Sequence, residues 1–533
     1  MARLIPKKGS VIQMLRSEKL RILKNVGSGW FSLGTNVLVG IFLSPFILHH
    51  LGDAAFGLWV LIFSITGYYG LFDLGIRSSL VRYVSKFAAV GDTEALARLI
   101  NTSLFTYSCI GLLSFLVTLA GVSRVNSLFR IPPDLHSTAG WLLLTVGTAV
   151  SLGFPLGIAG GILEGLQRFY ILNWTNVAAS VFRAILIVLA LNHGRGLLTI
   201  ALITVSLPLI ASVLRSVIAL RLLSISFGPR YIRRAAFREI ASYGGVTFIV
   251  ILSNQLRFQT DEIVIGTLLS SAAITYFSIG ARIVDYAAQM VVHLAQIFVP
   301  MSSESEAVGD LDRLRKIFIA GNRICAFIMF PICATLIILG KSVIEVWVGK
   351  KYVALSYPVL LVLLIPSTLF YAQAASGRIL FGISRHRAWA IVTLTEGVSN
   401  LILSILLVRP YGIVGDAVGT AIPLTCSALF FLPAHLCRHL GVRLRSFVRE
   451  AYALPVLLCL PLVAVLLLMQ RLFVAHNYWQ LAIQFAAGGA VYGVGVLWAF
   501  VTNSALHVGT SAGRPSLRAT GPSAPAESLP RDV

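Results

Sequence analysis

One stretch, Ala272 to Pro300, constrains the chain more than any other. It is long, apolar and free of helix breakers in its middle, so it reads as a membrane-spanning helix. Yet it carries Arg282, Asp285, Gln289, His293 and Gln296. Their steps of three and four residues put all five on one helical face. Each ionisable group in hydrocarbon costs about 2.5 to 3.5 kcal/mol on insertion scales, so the stripe must face protein or a watered cavity. Two readings stand at this point. Arg282 and Asp285 form a packing pair between helices, or the stripe is a wall of a polar, substrate-sized cavity.

Composition settles the solvent. Of 533 residues, 57% are hydrophobic and 12% charged, with a mean hydropathy of +0.85. That is an all-α polytopic membrane protein rather than a soluble globule. The net charge of +22 sits mainly in loops between apolar segments. It suits anionic lipid headgroups and an anionic substrate, and does not point to nucleic acid. Cys109, Cys325, Cys333, Cys426, Cys437 and Cys459 lie in or beside apolar segments without a CxxC pair, so neither disulfides nor a metal site is expected. The basic N-terminus runs into a full-length span without a small-residue cleavage site, which reads as an uncleaved first helix.

The organisation follows from the apolar segments. Residues 1–27 form a basic, amphipathic lead. Residues 28–221 hold six spans, at about 29–49, 54–75, 100–122, 139–163, 173–192 and 197–220. A basic linker, 222–239, divides the chain. Residues 240–437 hold six more, at about 240–268, 272–298, 317–340, 354–381, 388–408 and 413–436. Two further spans lie within 451–501, and the Ser/Pro/Ala/Gly-rich tail 503–533 reads as disordered. The expectation is about fourteen spans. Basic clusters recur in alternate loops, which puts both termini in the cytoplasm by the positive-inside rule.

The two halves repeat each other. Residues 51–100 align with 269–318 at a constant offset of 218, without a gap. Ala89-Val90-Gly91-Asp92 returns as Ala307-Val308-Gly309-Asp310, and Leu96 as Leu314. At an offset of 217, Gly165 and Arg168 meet Gly382 and Arg385. Six spans plus six in the same orientation form a parallel repeat, and such repeats place the substrate path at their interface.

The stretch Leu51-Gly52-Asp53-Ala54-Ala55-Phe56-Gly57-Leu58-Trp59, followed by Gly70-Leu71-Phe72-Asp73-Leu74-Gly75-Ile76-Arg77, resembles the opening of the polysaccharide-export flippase family. Gly165-Leu166-Gln167-Arg168-Phe169 and Asp261-Glu262-Ile263-Val264-Ile265-Gly266 fit the same pattern. That family holds the Wzx-type O-antigen, capsule and exopolysaccharide translocases of the multidrug/oligosaccharidyl-lipid/polysaccharide (MOP) exporter superfamily. The resemblance covers about residues 25–450. It implies two six-helix bundles forming a V that opens alternately to either side. It also implies transfer of a polyprenyl-pyrophosphate-linked oligosaccharide across the bacterial cytoplasmic membrane, with membrane lipids, a polysaccharide polymerase and a chain-length regulator as partners. In related lipid flippases two extra C-terminal helices form a groove for the lipid tail.

A pyrophosphate headgroup needs cations and donors that lipid cannot supply, and arginine can fork onto phosphate oxygens. Arg183, Asn254, Arg257, Arg282 and Gln289 are therefore the candidate substrate contacts. Arg183 has no acidic residue within a helical turn, whereas Arg257 has Asp261 four residues on and Arg282 has Asp285. Asp261, Asp285, His293 and Glu396 are candidates for coupling to a proton or Na⁺, and no other cofactor is expected. Glu396 and Asn400, one turn apart, form a weaker set, and Asp73, Arg77 and Arg168 read as residues of cytoplasmic helix ends. No GxxxxGK loop, DxD motif or HExxH points to an enzyme. Three other functions stay open: a cation-coupled multidrug antiporter, a lipid II flippase, and a lipid-carrier polymerase or ligase. The first span holds no acid and no arginine, and the outer loops are short, which speaks against each in turn.

Overall fold

No loop separates the basic lead from the first span. In the computed structural model, Lys8–Leu51 is one helix of 44 residues, α1. The structure describes residues 8–223, 226–234, 237–238, 248–249, 251–257, 259–383 and 386–502. Residues 1–7, parts of the linker 222–239 and of the span 240–268, Arg385 and the tail 503–533 lie outside the described residues.

After α1 come α2 (Asp53–Gly67), α3 (Ile76–Val90), α4 (Thr93–Val122), the short α5 (Val125–Leu128), α6 (His136–Gly165), α7 (Phe169–Asn192) and α8 (Leu197–Leu222). The second half holds a helical stretch at 251–257, then α9 (Thr260–Leu268), α10 (Ser271–Ala295), α11 (Phe298–Ala307), α12 (Leu311–Val348) and α13 (Val353–Tyr371). It continues with α14 (Ala374–Gly382), α15 (His386–Cys426) and α16 (Leu432–Leu440), and the chain ends in α17 (Leu444–Leu472) and α18 (Tyr478–Thr502). Among the described residues, twelve helical segments are long and apolar enough to cross a membrane.

One of these twelve, Trp389–Leu440, has 52 residues and doubles back. Gly412 breaks α15 with φ 60° and ψ −144°. Ser404 Oγ then donates to the Asp416 carbonyl at 3.3 Å, and Thr420 Oγ1 donates to Asn400 Oδ1 at 3.1 Å. The two arms of α15 therefore lie antiparallel, as the separate spans 388–408 and 413–436 require. The span expected at 354–381 is instead two helices, because the chain turns at Ala372 and Gln373. There Gln373 leaves the helical path and its Nε2 donates to the Ala428 carbonyl at 2.7 Å.

The repeat is visible in local geometry. Gly91 and Gly309 both take a left-handed conformation, with φ 71° and 70°. Asp92 and Asp310 then cap the next helix, accepting from the Ala95 and Arg313 amides at 2.8 and 2.9 Å. The four-residue identity is thus one helix stop and one helix start, used twice. Ser85 Oγ donates to the Gly165 carbonyl at 2.8 Å, and Ser303 Oγ, 218 residues on, donates to the Gly382 carbonyl at 2.8 Å. A Cβ on either glycine would collide with the carbonyl of Val81 or Val299, positions again 218 apart.

The halves meet at the end of the molecule marked by Asp53. A shared apolar core there includes Leu48, Phe56, Leu58 and Leu61 from the first half and Ile274, Phe277, Trp347 and Tyr352 from the second. Gly57 of the GLW motif lets α2 approach α10, since a Cβ there would overlap the Ser271 carbonyl. α17 packs on α12 through Phe447, stacked 4.5 Å from Phe318, and α18 packs on α17. The outward side of α18 presents Val494, Leu497, Trp498 and Val501, a surface that suits lipid.

Candidate functional site

The stripe that dominates the sequence meets the first half at one end and is exposed along the rest of its length. At its upper end Arg282 Nη1 donates to Ser44 Oγ of α1 at 3.1 Å, and its guanidinium lies 5.5 Å from the Phe56 ring. One turn further, the Tyr286 phenol lies against Gly40 of α1. From Asp285 onward the stripe is open: Asp285, Gln289, His293 and Gln296 are all exposed, while Val284, Ala287, Ala288, Val291 and Ala295 on the other face are buried. The helix thus touches the first half near Asp53 and parts from it toward the basic end. Asp285 lies close enough to Arg282 for their charges to interact, but the two form no ion pair within 4 Å among the described residues. Arg282 ties the halves together rather than pairing with Asp285.

Arg183 projects from α7 at the same depth. Asn173 Nδ2 donates to Ser28 Oγ at 2.9 Å, and Ser180 Oγ donates to Asn36 Oδ1 at 2.6 Å. These contacts run α7 beside α1 in one direction and bring Arg183 level with Gly40, and so with Tyr286. Arg183 is half-buried, and its Nε has no hydrogen-bond partner among the described residues. Asn254 is exposed on the 251–257 stretch. Its neighbour Gln255 donates to the Gly67 carbonyl of α2, and Tyr68 hydrogen-bonds Thr260 at 2.5 Å.

Arg257 has a different partner from the one its spacing suggests. The four-residue step pointed to Asp261, but Arg257 Nη1 lies 3.1 Å from Glu396 Oε2, and both side chains are 5% exposed. The guanidinium also stacks 4.0 Å from the Phe370 ring. Asp261 turns instead toward α15. It accepts from Thr420 Oγ1 at 3.0 Å and from Asn400 Nδ2 at 3.3 Å, and Ser404 Oγ donates to Asn400 Oδ1 at 2.8 Å. Asp416 is fully buried nearby, with neither carboxylate oxygen hydrogen-bonded among the described residues. Glu262 and Asp416 are each close enough to Asp261 for their charges to interact. Carboxylates gathered in such an interior need a cation or a proton as partner. The weaker set, Glu396 and Asn400, thus lies at the centre of the second half's polar core. Asp416 escaped the sequence reading because it directly follows a loop.

At the Asp53 end the cleft is closed. Asp53 accepts from the Tyr352 hydroxyl at 2.5 Å, from Tyr276 at 3.0 Å and from Lys351 Nζ at 3.0 Å, all in the second half. At the basic end, Arg77 Nη2 lies 2.5 Å from Glu164 Oε1 and Tyr107 donates to Asp73. Burial disfavours the Arg77 charge, but the Glu164 carboxylate more than offsets this and holds the guanidinium above the usual arginine range. Arg168 Nη1 donates to Tyr170 at 3.1 Å. Arg215 was not singled out from sequence. It is held by Thr175 Oγ1 at 2.8 Å and Asn176 Oδ1 at 2.5 Å. Its signal was the one Arg183 gives, an arginine inside a span with no acid within a turn.

The model of a family described as "Polysaccharide biosynthesis protein" matches residues 50–356. A protein named putative O-antigen transporter, from Shigella flexneri, is 22% identical over 429 residues, covering 77% of this chain and 96% of its own. Among solved structures, the lipid II flippase MurJ in an inward closed conformation superposes with a TM-score of 0.70 at 16% identity, covering 90% of this chain and 99% of that one. An inward-facing multidrug resistance MATE family transporter of the MOP superfamily superposes with a TM-score of 0.66 at 15% identity, covering 78% and 95%.

Proposed function

Because the chain belongs to the polysaccharide biosynthesis protein family and is a transporter with the MOP-superfamily fold, we propose that it flips a polyprenyl-pyrophosphate-linked oligosaccharide between membrane leaflets. The repeat unit moves from the cytoplasmic to the outer leaflet of a bacterial cytoplasmic membrane, for O-antigen, capsule or exopolysaccharide. The observation that carries this reading is Arg183. It is a half-buried guanidinium in a membrane span whose Nε has no hydrogen-bond partner among the described residues. A fixed cation in a low-dielectric cleft suits a diphosphate. Asn254, Asp285, Gln289 and His293 supply hydrogen-bonding groups for sugars on the opposite wall. Arg257 has a structural part in this reading, since Glu396 neutralises it.

In this reading the end clasped by Asp53 faces outward and the basic end faces the cytoplasm. Substrate then enters from the inner leaflet, and release needs the Asp53 contacts to break as the basic end closes. The cluster Asp261, Glu262 and Asp416, with the neutral ligands Asn400 and Thr420, suits a proton or Na⁺ whose binding biases the two states. The two halves take unequal parts: the first presents cations to the substrate, the second carboxylates to the coupling ion. α17 and α18 lie outside the repeat and are assigned to the lipid tail. A polymerase and a chain-length regulator would receive the product.

The same carboxylates favour one alternative, a cation-coupled multidrug antiporter. Replacing Arg183 by Gln separates the readings. Loss of surface glycan at normal protein level supports the flippase, whereas unchanged glycan with new sensitivity to cationic dyes supports the antiporter.

A further inference from the structure

A cavity of about 240 Å³ lies in the second half between α12, the turn from α13 to α14, α16 and the first turns of α17. Its walls are mainly apolar, with Phe330, Leu369, Pro433 and Phe447 among them. It opens at Leu429, Leu444 and Val448, which line it and are exposed, a rim that suits hydrocarbon better than water. Two helical irregularities meet at its wall. Gln373, at the turn from α13 to α14, and Ala428, in the π-helical turn Ser427–Phe431, both line it, and Gln373 Nε2 donates to the Ala428 carbonyl there at 2.7 Å. Such turns commonly mark functional sites. The surroundings of the mouth are basic. Arg438, Arg443, Arg445 and Arg449 are exposed, no acid lies between residues 438 and 449, and none of these arginines is in an ion pair among the described residues. Arg445, Val448, Arg449 and Tyr452 follow at steps of three and four, so two of the arginines share a face of α17 with residues of the cavity wall.

We propose that an anionic phospholipid of the surrounding bilayer seats one acyl chain in this cavity and its phosphate on Arg445 and Arg449. An apolar chain and an anionic head on one molecule match an apolar cavity beside these arginines, and polybasic segments at the start of a membrane span attract such lipids. Arginine can fork onto the phosphate oxygens. A cavity of this size holds a segment of one chain, which favours an acyl chain over a much longer polyprenyl one. The site is separate from the groove assigned to the substrate's lipid tail, because no residue of α18 lines it. It is also independent of the transport reading. The seated chain fills the space beside the Gln373–Ala428 contact and braces the two irregular turns against each other.

The test uses the full chain in proteoliposomes doped with phosphatidylglycerol or phosphatidylcholine whose acyl chain carries a photoactivatable diazirine. Phosphatidylglycerol should label residues 369–373 and 444–452 at least about fivefold more than phosphatidylcholine, the ratio expected from one arginine near an anionic head. Arg445→Gln with Arg449→Gln should bring its labelling down to the phosphatidylcholine level. Val448→Trp, and Leu429→Trp from the π-helical turn, should each remove labelling at 369–373, since the added ring fills the mouth. Both positions are exposed, so either variant serves if the other folds poorly. Equal labelling by the two lipids, or labelling at 369–373 that persists in a folded Trp variant, overturns the proposal. Displacement of the phosphatidylglycerol probe by polyprenyl phosphate but not by unlabelled phosphatidylglycerol also overturns it, and assigns the cavity to the substrate's carrier.

Discussion

The Asp53 carboxylate accepts a hydrogen bond from the Tyr352 hydroxyl at 2.5 Å across the interface of the two halves, 299 residues apart in sequence. With Tyr276 and Lys351 on the same carboxylate, it forms a clasp that holds one end of the cleft shut. Hydrogen bonds to a charged group contribute about 1.5 to 3 kcal/mol each, although partial exposure of Lys351 reduces its share. Asp53→Ala should therefore shift the population toward opening at this end. Distances between spin labels flanking Gly52 and Gly349 measure it, and an unchanged distribution would show that the clasp does not set the balance.

Arg257 and Glu396 should behave as a structural pair. Removing one member of a buried pair costs about 3 to 5 kcal/mol, because the other is left uncompensated. Glu396→Ala should lower thermal stability in detergent sharply, and Arg257→Met with Glu396→Leu should recover much of it. Equal stability of the single and double variants would contradict the pairing.

Asp261→Asn and Thr420→Val remove, respectively, the charge and one hydroxyl of the Asn400 cluster. Both should weaken the dependence of transport on a Na⁺ or proton gradient, the first far more. The measurement is transport at graded Na⁺ at fixed pH, then at graded pH without Na⁺. Wild-type dependence in Asp261→Asn would remove the cluster from coupling.

The repeated helix crossings should respond alike. A methyl group at Gly165 would meet Val84 and the Val81 carbonyl, and one at Gly382 would meet Ser302 and the Val299 carbonyl. Overpacking of this type costs about 1 to 3 kcal/mol. Gly165→Ala and Gly382→Ala should each lower the melting temperature, and a neutral result at either would show that its crossing relaxes freely.

Much of the fold was legible because its signals are local. Apolar length gave the spans, and Ala-Val-Gly-Asp gave the repeat because those four residues dictate a helix stop and a cap. The candidate site was legible only where a side chain lacks a partner. Arg183 stood out because no acid lies near it in sequence, and none pairs with it in space among the described residues. The partner of Arg257 was not legible, because Glu396 is 139 residues away and comes beside it only when α15 packs against the 251–257 stretch. Asp416 was overlooked for a related reason. Its burial depends on α15 folding back at Gly412, which a sequence presents only as a loop.

In the proposed function, Arg183 holds the diphosphate of a lipid-linked glycan as it crosses the membrane. The most direct measurement is the leaflet distribution of polyprenyl-linked glycan in a deletion strain complemented with wild type or with Arg183→Gln. Glycan should accumulate on the cytoplasmic leaflet, and wild type should relieve this where Arg183→Gln, present at the same level, does not. Full relief by Arg183→Gln, or an even distribution in the deletion strain itself, would contradict it.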